Sequence, residues 1–470
     1  MNKEPYAYPW SFSRDFPVAV RSEGVYIYDE EGKRYLDGSG GALAANIGHS
    51  VPSIIEDISR TLRKLSYVHT SHFRTRVAED LATLLAEKFP GPAQHPKVLF
   101  TSGGSEATES VIKLVRQYWL SRNQPKRYKI ISRWHSYHGA TMGALGLSGN
   151  RRRRAPYIDL LPSGKHISTC FCYHCPLALQ FPACELACAN ELKQTIEETG
   201  PDTVAAFIME PIVGATSGAV PPEGYLRNIR EICNQYGIPL IADEILTGSG
   251  RTGRYFALEH WGVQPDIILM GKGLSGGYGP LGAVLAAEHI WRPIQRAAAS
   301  LEHSFTYQAH PPSIAAGLAV QKYLAEKNLV QRAARMGEYL RERLMTLRQL
   351  ACVGDVRGLG LMWTVEFVAD SKERLPFPPE YQFSERIFEA LRERGVLLYP
   401  GRGTVDGACG DHILIAPPFV IEEPQIDFMV DELKASIEQV ASSVTAVSVE
   451  RVANPGATGR STDNRGQAEA

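Results

Sequence analysis

Short, nearly continuous apolar runs recur in this chain, and each of them ends in polar or small residues. The runs occupy residues 98–100, 130–131, 204–209, 239–242 and 267–270, and segments with apolar residues at helical spacing lie between them. Uninterrupted apolar runs of this length are typical of strands that are covered on both faces of a parallel sheet. Their alternation with helices predicts a doubly wound α/β domain between about residues 97 and 285.

The pattern differs on both sides of this region. Before it, apolar and polar residues alternate around a Glu-Glu-Gly-Lys turn, which predicts a β-hairpin. Beyond it, we expect a helix over 283–300, one long helix from Ser313 to about Leu350, and then a small α+β domain. The expected division is an N-terminal arm with part of the small domain, a large domain, a C-terminal small domain and a disordered tail, at 1–69, 70–325, 326–445 and 446–470.

Composition and charge exclude several classes of partner. The 470 residues carry a net charge of −1 and are 44% hydrophobic and 21% charged, which is ordinary for a globular protein. Such a balance gives no electrostatic reason to expect nucleic acid or an anionic membrane as a partner. No apolar run reaches the roughly 20 residues of a membrane span, and the first residues lack the apolar core of a signal peptide. We therefore expect a cytoplasmic protein.

Two neighbouring strand ends carry the most informative residues. Asp243 follows the run 239–242, and Lys272 follows the run 267–270 after one glycine. Ligands of parallel sheets bind beyond the carboxyl ends of the strands, where both side chains emerge. A lysine with a lowered pKa attacks aldehydes, and a carboxylate keeps a pyridine nitrogen protonated. The hypothesis is that Lys272 carries pyridoxal phosphate and that Asp243 holds its ring nitrogen.

A turn of small residues at 101–107 joins a short strand to a helix. It contains Gly103, Gly104 and Ser105, which would let a phosphate approach the free amides and the positive end of the helix dipole. A plain strand-to-helix turn with a serine cap has the same pattern, so both interpretations stay open. Tyr137 follows the next strand, where it stacks on a flat ligand ring or is simply a buried aromatic at the edge of the sheet.

Two further clusters have less specific patterns. Cys172 and Cys175 form a CxxC pair, and Cys184 and Cys188 form a CxxxC pair, so that four thiols could hold zinc. Their spacing is not that of a zinc ribbon or finger, and a packed insertion without metal is the prediction. The arginine run 151–154 lies in a predicted loop and is interpreted as solvated, with contact to an acidic partner loop as the alternative.

Taken in order, segments over about residues 20–440 resemble the class III pyridoxal-phosphate-dependent aminotransferases, also called the ω-aminotransferase group. The segments are YDEEGKRYLDGSGG, GHSVPSI, FTSGGSEATESVIKLVR, WHSYHGAT, MEPIVGATSGAVPPEGYLRNIREIC, IADEILTGSGRTGRYFALEHWGVQPDIILMGKGL and FTYQAHP. The resemblance implies an α/β fold of type I, with a large domain built on a mostly parallel sheet flanked by helices, and a small α+β domain. It also implies pyridoxal 5′-phosphate as cofactor and a homodimer that shares its active sites.

The resemblance gives roles to individual residues. Lys272 matches the lysine that carries the cofactor and moves the substrate Cα proton, Asp243 matches the aspartate at the ring nitrogen, and Tyr137 matches the stacking aromatic. Thr306 matches a threonine that reaches the phosphate from the neighbouring subunit. The other implied cofactor-binding residues are Gly103, Gly104 and Ser105 in the phosphate turn, His138 after the tyrosine, Glu210 near the cofactor hydroxyl, and Ile245.

One position departs from the family pattern. Leu414 stands where many relatives that use glutamate or 2-oxoglutarate carry an arginine, and a leucine cannot bind a carboxylate. Arg402, in a glycine-flanked segment upstream, is a candidate that swings in for a substrate carboxylate, as in pyruvate-using relatives; a solvated loop arginine is the alternative. Trp10, in an aromatic N-terminal arm, is a second candidate for contact with the substrate.

The expected reaction is ping-pong transamination. An amine, or a β- or ω-amino acid, leaves its nitrogen on the cofactor, and a 2-oxo acid, pyruvate in the first place, collects it. Another pyridoxal-phosphate activity on the same scaffold, such as a 1,2-aminomutase or a decarboxylase, is the alternative. A non-catalytic binding protein ranks last, because Lys272 and Asp243 are both present.

Overall fold

The structure is a computed structural model. It describes residues 7, 8, 11, 14–91, 95–298 and 300–453, and for residues 215, 216 and 445–453 it describes only the backbone. Trp10 and residues 454–470 therefore lie outside the described residues. The last helix extends to Ala453, so the first residues of the predicted tail 446–470 are helical.

The strands of the described residues form three sheets. They are Ala19–Glu23 (β1), Tyr26–Asp29 (β2), Arg34–Asp37 (β3), Lys97–Thr101 (β4), Lys129–Arg133 (β5), Lys165–Ile167 (β6), Val204–Met209 (β7), Leu240–Asp243 (β8), Ile267–Met270 (β9), Gly282–Ala286 (β10), Val353–Leu359 (β11), Met362–Phe367 (β12), Val396–Leu397 (β13), Tyr399–Arg402 (β14) and Asp411–Ile415 (β15). The largest sheet has the order β4-β10-β9-β8-β7-β5-β6. Strands β9, β8, β7, β5 and β6 are parallel, which confirms the mostly parallel sheet.

Both faces of this sheet are covered, and the burial explains the apolar runs. Along β7, Phe207 and Met209 belong to one core cluster, whereas Ala206 and Ile208 belong to another. Every residue of β7 is buried. A strand that is covered on both faces has no polar face to alternate with, so its sequence is apolar throughout.

The expectation of a helix over 283–300 is wrong for its first residues. These residues form β10, which is antiparallel to both β4 and β9, and the helix begins only at Glu288. The segment Ala-Val-Leu-Ala is apolar at every position, and periodicity does not separate a buried strand from a buried helix in so short a run.

The helices flank the sheets. They are Gly40–Leu43 (α1), Pro52–Lys64 (α2), Arg76–Lys88 (α3), Gly104–Ser121 (α4), Met142–Leu147 (α5), Arg151–Arg154 (α6), Ala187–Thr199 (α7), Gly214–Ser217 (α8), Tyr225–Tyr236 (α9), Glu288–Ala298 (α10), Pro311–Glu326 (α11), Leu329–Met345 (α12), Phe383–Glu393 (α13) and Glu423–Ala453 (α14). The predicted single helix from Ser313 to Leu350 is instead two, because Asn328 adopts a left-handed φ of 51° between α11 and α12. In the described part of the chain, no helix is long and apolar enough to cross a membrane.

The two smaller sheets bring together distant parts of the chain. The order β1-β2-β3-β13 places the N-terminal hairpin beside a strand from near the C-terminus, with Leu36 opposite Val396. The order β11-β12-β15-β14 is antiparallel throughout. Helices α12, α13 and α14 pack around these strands in a common apolar core. The proposed boundaries at residues 70, 326 and 446 stay a prediction.

Close contacts between glycines join this second region to the large sheet. Gly337, inside α12, faces Gly360 in the β11–β12 turn, and a Cβ at Gly337 would lie 2.5 Å from Gly360 Cα. A Cβ at Gly360 would lie 2.7 Å from the amide nitrogen of Gly253, in the loop that follows β8. Three backbones therefore approach one another where a side chain does not fit.

We expect Gly337→Ala to destabilise the protein, although alanine has a higher helix propensity than glycine. The added methyl group must displace the Gly360 backbone, at a cost of about 1–3 kcal/mol. Chemical denaturation measures the change. Arg341→Ala, on the exposed face of the same helix, serves as the control and is expected to change stability by less than about 0.5 kcal/mol. A Gly337→Ala protein as stable as the parent would show that the contact yields without cost.

Candidate active site

A cavity of about 310 Å³ lies beyond the carboxyl ends of the parallel strands. It is lined by nearly all of the residues that the sequence assigns to the cofactor: Gly103, Gly104, Ser105, Tyr137, His138, Glu210, Asp243, Ile245 and Lys272. They come from the ends of β4, β5, β7, β8 and β9, which are distant in sequence and adjacent in the sheet. The topology therefore assembles one site from separate motifs, at the edge where ligands of such sheets bind.

Asp243 and His138 form a buried pair at the base of this cavity. Asp243 is the last residue of β8, and its Oδ2 lies 2.7 Å from Nδ1 of His138, which follows β5. The other carboxylate oxygen accepts a hydrogen bond of 3.1 Å from the amide of Ile245. A carboxylate accepts hydrogen bonds, so Nδ1 of His138 is the donor. The ring thereby fixes the direction in which the carboxylate points.

Lys272 is the first residue after Gly271 at the end of β9, next to β8 in the sheet. Its backbone has a positive φ of 44°, an uncommon conformation for a residue with a side chain, and such strain is concentrated at functional sites. Burial lowers the pKa of Lys272, and the charges of Asp243 and Glu210 act in the opposite direction. A lowered pKa increases the fraction of the neutral amine, which is the nucleophilic form of lysine.

The turn before α4 has the geometry of an anion site. A helix leaves the amides of its first residues without partners inside the helix, and the first main-chain bond of α4 joins Ala107 N to Gly103 O at 3.0 Å. Gly104 lies against Ile245, because a Cβ there would come within 2.8 Å of the isoleucine Cδ1. The Ser105 hydroxyl accepts a hydrogen bond of 3.0 Å from the amide of Ala140.

Glu210 and Tyr137 complete the wall of the cavity. Glu210 Oε2 accepts a hydrogen bond of 3.2 Å from the amide of Tyr137, and Oε1 accepts one of 3.2 Å from the amide of Gly214. Burial raises the pKa of Glu210 to about 7, and nearby Asp243 adds to that rise. The carboxyl therefore orients the Tyr137 backbone and titrates near neutrality.

These features fit the predicted cofactor. The amides at the start of α4 suit its phosphate, the Tyr137 ring suits its planar ring, and a fixed carboxylate suits a protonated ring nitrogen. Nε2 of His138 is buried without a hydrogen-bond partner among the described residues. No other side chain of those residues therefore draws the His138 ring away from Asp243. A buried lysine amine lies in the same cavity to attack an aldehyde carbon.

The structure does not bring every predicted residue to the cavity. Thr306 is exposed and is not among the lining residues, and its carbonyl accepts a hydrogen bond of 3.0 Å from Tyr67. Arg402 ends β14, where Nη1 lies 3.2 Å from Glu385 Oε1 and Nε lies 3.8 Å from Asp411 Oδ1. It is thus neither a solvated loop residue nor a wall of the cavity, and its role toward the substrate stays a prediction.

Sequence reasoning missed part of the wall. The glycine-rich segment after Lys272 supplies Ser275, Gly277, Gly279, Pro280 and Leu281, and the remainder comes from Ala44, Ser102, Gly139 and Leu246. The density of glycine directly after Lys272 was a usable signal, because a loop of small residues leaves room for a ligand. Ala44 and Leu246 carry no chemical signal of their own.

The structure also shows the environment of the arginine run 151–154 and of the cysteine pairs between residues 172 and 188. The arginine run 151–154 forms the short helix α6 rather than a loop; Arg151 and Arg152 are exposed, as expected of solvated residues, whereas Arg154 is buried. Within the described residues, no group of three or more His, Cys, Asp or Glu side chains is placed to hold a metal ion. Burial raises the pKa of Cys172 to about 11 and that of Cys188 to about 12, so these thiols are protonated at neutral pH.

The raised pKa of Glu210 predicts how stability depends on pH. A carboxyl whose pKa rises from 4.5 to about 7 on folding stabilises the protein below pH 4.5, and this contribution is lost as the pH increases through 7. Glu210→Gln cannot ionise. Its stability relative to the cofactor-free parent should therefore increase across this window, by up to about 1.4 kcal/mol per pH unit.

Chemical denaturation of both proteins at several pH values measures this difference. Glu244, whose pKa burial also raises to about 7, is present in both proteins, so its contribution cancels. A stability difference that does not change with pH would show that Glu210 is already ionised in the folded protein.

Comparison with known proteins agrees with this geometry. Residues 12–437 match the family described as Aminotransferase class-III. The chain is 37% identical over 434 residues to the uncharacterized aminotransferase YodT of Bacillus subtilis, which covers 92% of this chain and 97% of that protein. It is 32% identical over 432 residues to the putrescine–pyruvate aminotransferase of Pseudomonas aeruginosa, over 91% of this chain and 92% of that protein.

The fold is shared with solved transaminases. The crystal structure of an amine transaminase from an uncultivated Pseudomonas species, in the PLP-bound form, is 34% identical and superposes with a TM-score of 0.87 over 93% of this chain and 99% of that chain. The predicted type I fold and the predicted cofactor are thereby confirmed. The chain belongs to the class III aminotransferases, which depend on pyridoxal 5′-phosphate.

Proposed function

We propose that this aminotransferase takes nitrogen from an amine, or from a β- or ω-amino acid, and delivers it to pyruvate by a ping-pong mechanism. The 1,2-aminomutase, decarboxylase and non-catalytic alternatives are not favoured, since the relatives are named aminotransferases. The relative from P. aeruginosa is named for pyruvate as acceptor and putrescine as donor. Support from this chain itself comes from the surroundings of Leu414.

The position of Leu414 is the observation that carries the choice of a short acceptor. Its side chain is 1% exposed and lies in an apolar cluster with Leu43, Ile212, Leu246 and Met362. Leu246 of this cluster also lines the cavity. A second carboxylate, as in 2-oxoglutarate, would lose its hydration against Leu246 without gaining a partner there, and Leu414 in the same cluster supplies no cation. Pyruvate has no second carboxylate to place.

The residues of the cavity divide the work of the reaction. When bound, pyridoxal 5′-phosphate supplies an electron sink for the charge that develops at the substrate Cα. Asp243, aligned by His138, holds the proton on the ring nitrogen that makes this sink effective. The amides at the start of α4 hold the phosphate, so that the ring cannot move away from Lys272.

Lys272 performs the proton transfer. Its burial favours the neutral amine, which would move the Cα proton of the donor to the bound cofactor in the first half of the cycle and would move a proton from the cofactor to the Cα of the acceptor in the second half. Glu210 holds the amide of Tyr137, so the aromatic wall keeps its position while substrates exchange. Acid and base groups that are held in fixed positions need little reorganisation at the moment of transfer.

A half-reaction with one substrate at a time tests the proposal. A donor added alone to the holoenzyme should release a carbonyl product in one equivalent and leave nitrogen on the cofactor, seen as a change of cofactor absorbance. Pyruvate should then restore the original band with kcat/KM at least about tenfold above that of 2-oxoglutarate, as expected when one charged group lacks a partner. Lys272→Ala should slow both halves by roughly two to four orders of magnitude.

The outcomes are separable. If no carbonyl product appears across a broad panel of amines and amino acids, transamination is wrong. If the first half runs but 2-oxoglutarate outperforms pyruvate, only the assignment of the acceptor is wrong.

The proposal includes a homodimer with shared sites. Thr306 lies outside the cavity of its own subunit and is exposed, as a residue that serves a neighbouring site would be. Tyr67 and Tyr307, beside it, are exposed aromatics whose ring centroids lie 5.9 Å apart. Exposed apolar surface of this kind is a feature of subunit interfaces.

A mixed dimer tests the sharing of sites. Thr306→Ala alone should weaken cofactor binding about 10- to 100-fold through the loss of a hydrogen bond to a charged group. In a dimer of one Thr306→Ala subunit and one Lys272→Ala subunit, one site carries both changes and the other carries neither. Such a dimer should keep about half of the parental activity at limiting cofactor. If each site lies within one subunit, no site of parental affinity exists and this activity is absent.

A further inference from the structure

The four arginines of α6 differ in their environments. Arg154 is buried, and its Nη1 donates hydrogen bonds of 2.7–2.8 Å to the carbonyls of Leu145, Gly146 and Ser148. Its donors therefore complete the end of α5, and its role is structural.

The other three arginines reach the surface to different extents. The Cζ of Arg151 lies 4.9 Å from the centre of the Trp134 ring, and Arg152 is exposed. Arg153 is half-buried, and its Cζ lies 4.5 Å from the centre of the Tyr137 ring. Only Arg153 thus rests on a residue that lines the active-site cavity.

The guanidinium of Arg153 has no acidic partner among the described residues, since no Asp or Glu oxygen of those residues lies within 4.0 Å of it. Other arginines near the site are committed. Nη2 of Arg133 donates to the Glu210 carbonyl, and Nη1 of Arg251 donates to the carbonyls of Leu361 and Pro417. An aromatic face satisfies the charge of a guanidinium in part and leaves its N–H groups free.

Arg153 also acts on the reacting groups. Its charge adds to the effect of burial in lowering the pKa of Lys272, so the guanidinium is close enough to influence the amine. The Tyr137 ring, on which the guanidinium rests, lines the same cavity as Lys272. Arg153 is not itself a lining residue, so its guanidinium lies against the Tyr137 wall rather than on a distant surface.

The charges of the cavity require such a cation. Among the lining residues Lys272 is the only amine, and burial lowers its pKa, so the cavity itself offers an incoming carboxylate little positive charge. A carboxylate that leaves water needs a partner. Leu414 offers none, and Arg402 is held by Glu385.

We propose that Arg153 binds the substrate carboxylate through its free N–H groups while its planar face stays on Tyr137. This inference rests on the proposed function, and it names the specificity-determining residue for the anionic substrate. The carboxylate has two sources, the 2-oxo acid acceptor and an amino acid donor. An amine or an aldehyde that has no carboxylate, here called neutral, has no group that pairs with this cation.

The experiment removes the charge and keeps the length of the side chain. Arg153→Met and the control Arg152→Met, at the exposed neighbouring position, are purified as holoenzymes. Each is assayed in separate half-reactions with pyruvate, with propanal, with β-alanine and with a neutral amine. Arg153→Lys keeps a charge but loses the fork that pairs with a carboxylate through two bonds.

We expect Arg153→Met to raise the KM for pyruvate about 10- to 100-fold, the scale of a lost hydrogen bond to a charged group. Any effect of the lost charge on Lys272 is shared by all substrates, so the KM for pyruvate should rise about 10- to 100-fold relative to the KM for propanal, and Arg153→Lys should lie between the two proteins. A rise for pyruvate alone assigns the α-carboxylate, and a rise for β-alanine as well assigns the donor carboxylate too. Arg152→Met should match the parent throughout.

Equal losses for pyruvate and propanal would overturn the inference, because they would show that Arg153 only supports the Tyr137 ring. Unchanged values for all substrates would overturn it as well. If Arg153→Met does not retain cofactor, the ratio of pyruvate to propanal in Arg153→Lys decides the question in the same way.

Binding of propionate, a carboxylate that cannot react, separates this inference from the proposed function. Propionate should shift the absorbance band of the cofactor in the parent in a saturable way, and this shift should be lost in Arg153→Met. Such a result supports the role of Arg153 even in a protein that transfers no nitrogen. Equal binding by both proteins, or no binding by the parent, contradicts it. If the parent transfers nitrogen but propionate binds equally to both proteins or does not bind to the parent, the proposed function stands and only the role of Arg153 is wrong.

Discussion

The hydrogen bond between Asp243 and His138 is the constraint on which the active site depends. It joins the ends of β8 and β5, two strands that are separated in the sheet by β7, over a distance of 2.7 Å. A buried carboxylate is stable only with a partner, so the pair requires the register of the three strands to be correct. Glu210, at the end of the intervening β7, and Lys272, beyond β9, then fall into place around it.

The arginines near the active site differ in whether they have a partner within the fold. The guanidinium of buried Arg251 donates to main-chain carbonyls, and that of partly buried Arg402 pairs with the carboxylate of Glu385. A cation that is left without such a partner is available for a ligand. Leu414 matters for the same reason, since a buried leucine supplies no positive charge to a carboxylate that has lost its hydration.

Much of the fold and of the site was predictable from the sequence, for physical reasons. Strands covered on both faces must be apolar throughout, and they end where the ligand begins, which is how Asp243 and Lys272 could be identified. Strand β10 was not predictable, because a short run of Ala, Val and Leu has no period that separates strand from helix. The break at Asn328 depends on a single left-handed residue, for which the helical pattern on both sides gives no warning.

The environment of the arginines was also beyond the sequence. Four identical residues in a row have identical propensities, yet one caps a helix end, two lie on aromatic rings and one faces solvent. Only the three-dimensional path of α6 decides which is which.

The pairing of β3 with β13 has a consequence for the biosynthesis of this chain. The side chain of Lys33 donates to the carbonyl of Glu393, a residue 360 positions later. At the pace of translation, the N-terminal hairpin waits roughly 20 to 70 seconds for its neighbour, with the edge of β3 unpaired. An unpaired strand edge is a template for association with other chains. The beginning of the polypeptide is therefore exposed to association with other chains until β13 has been synthesised.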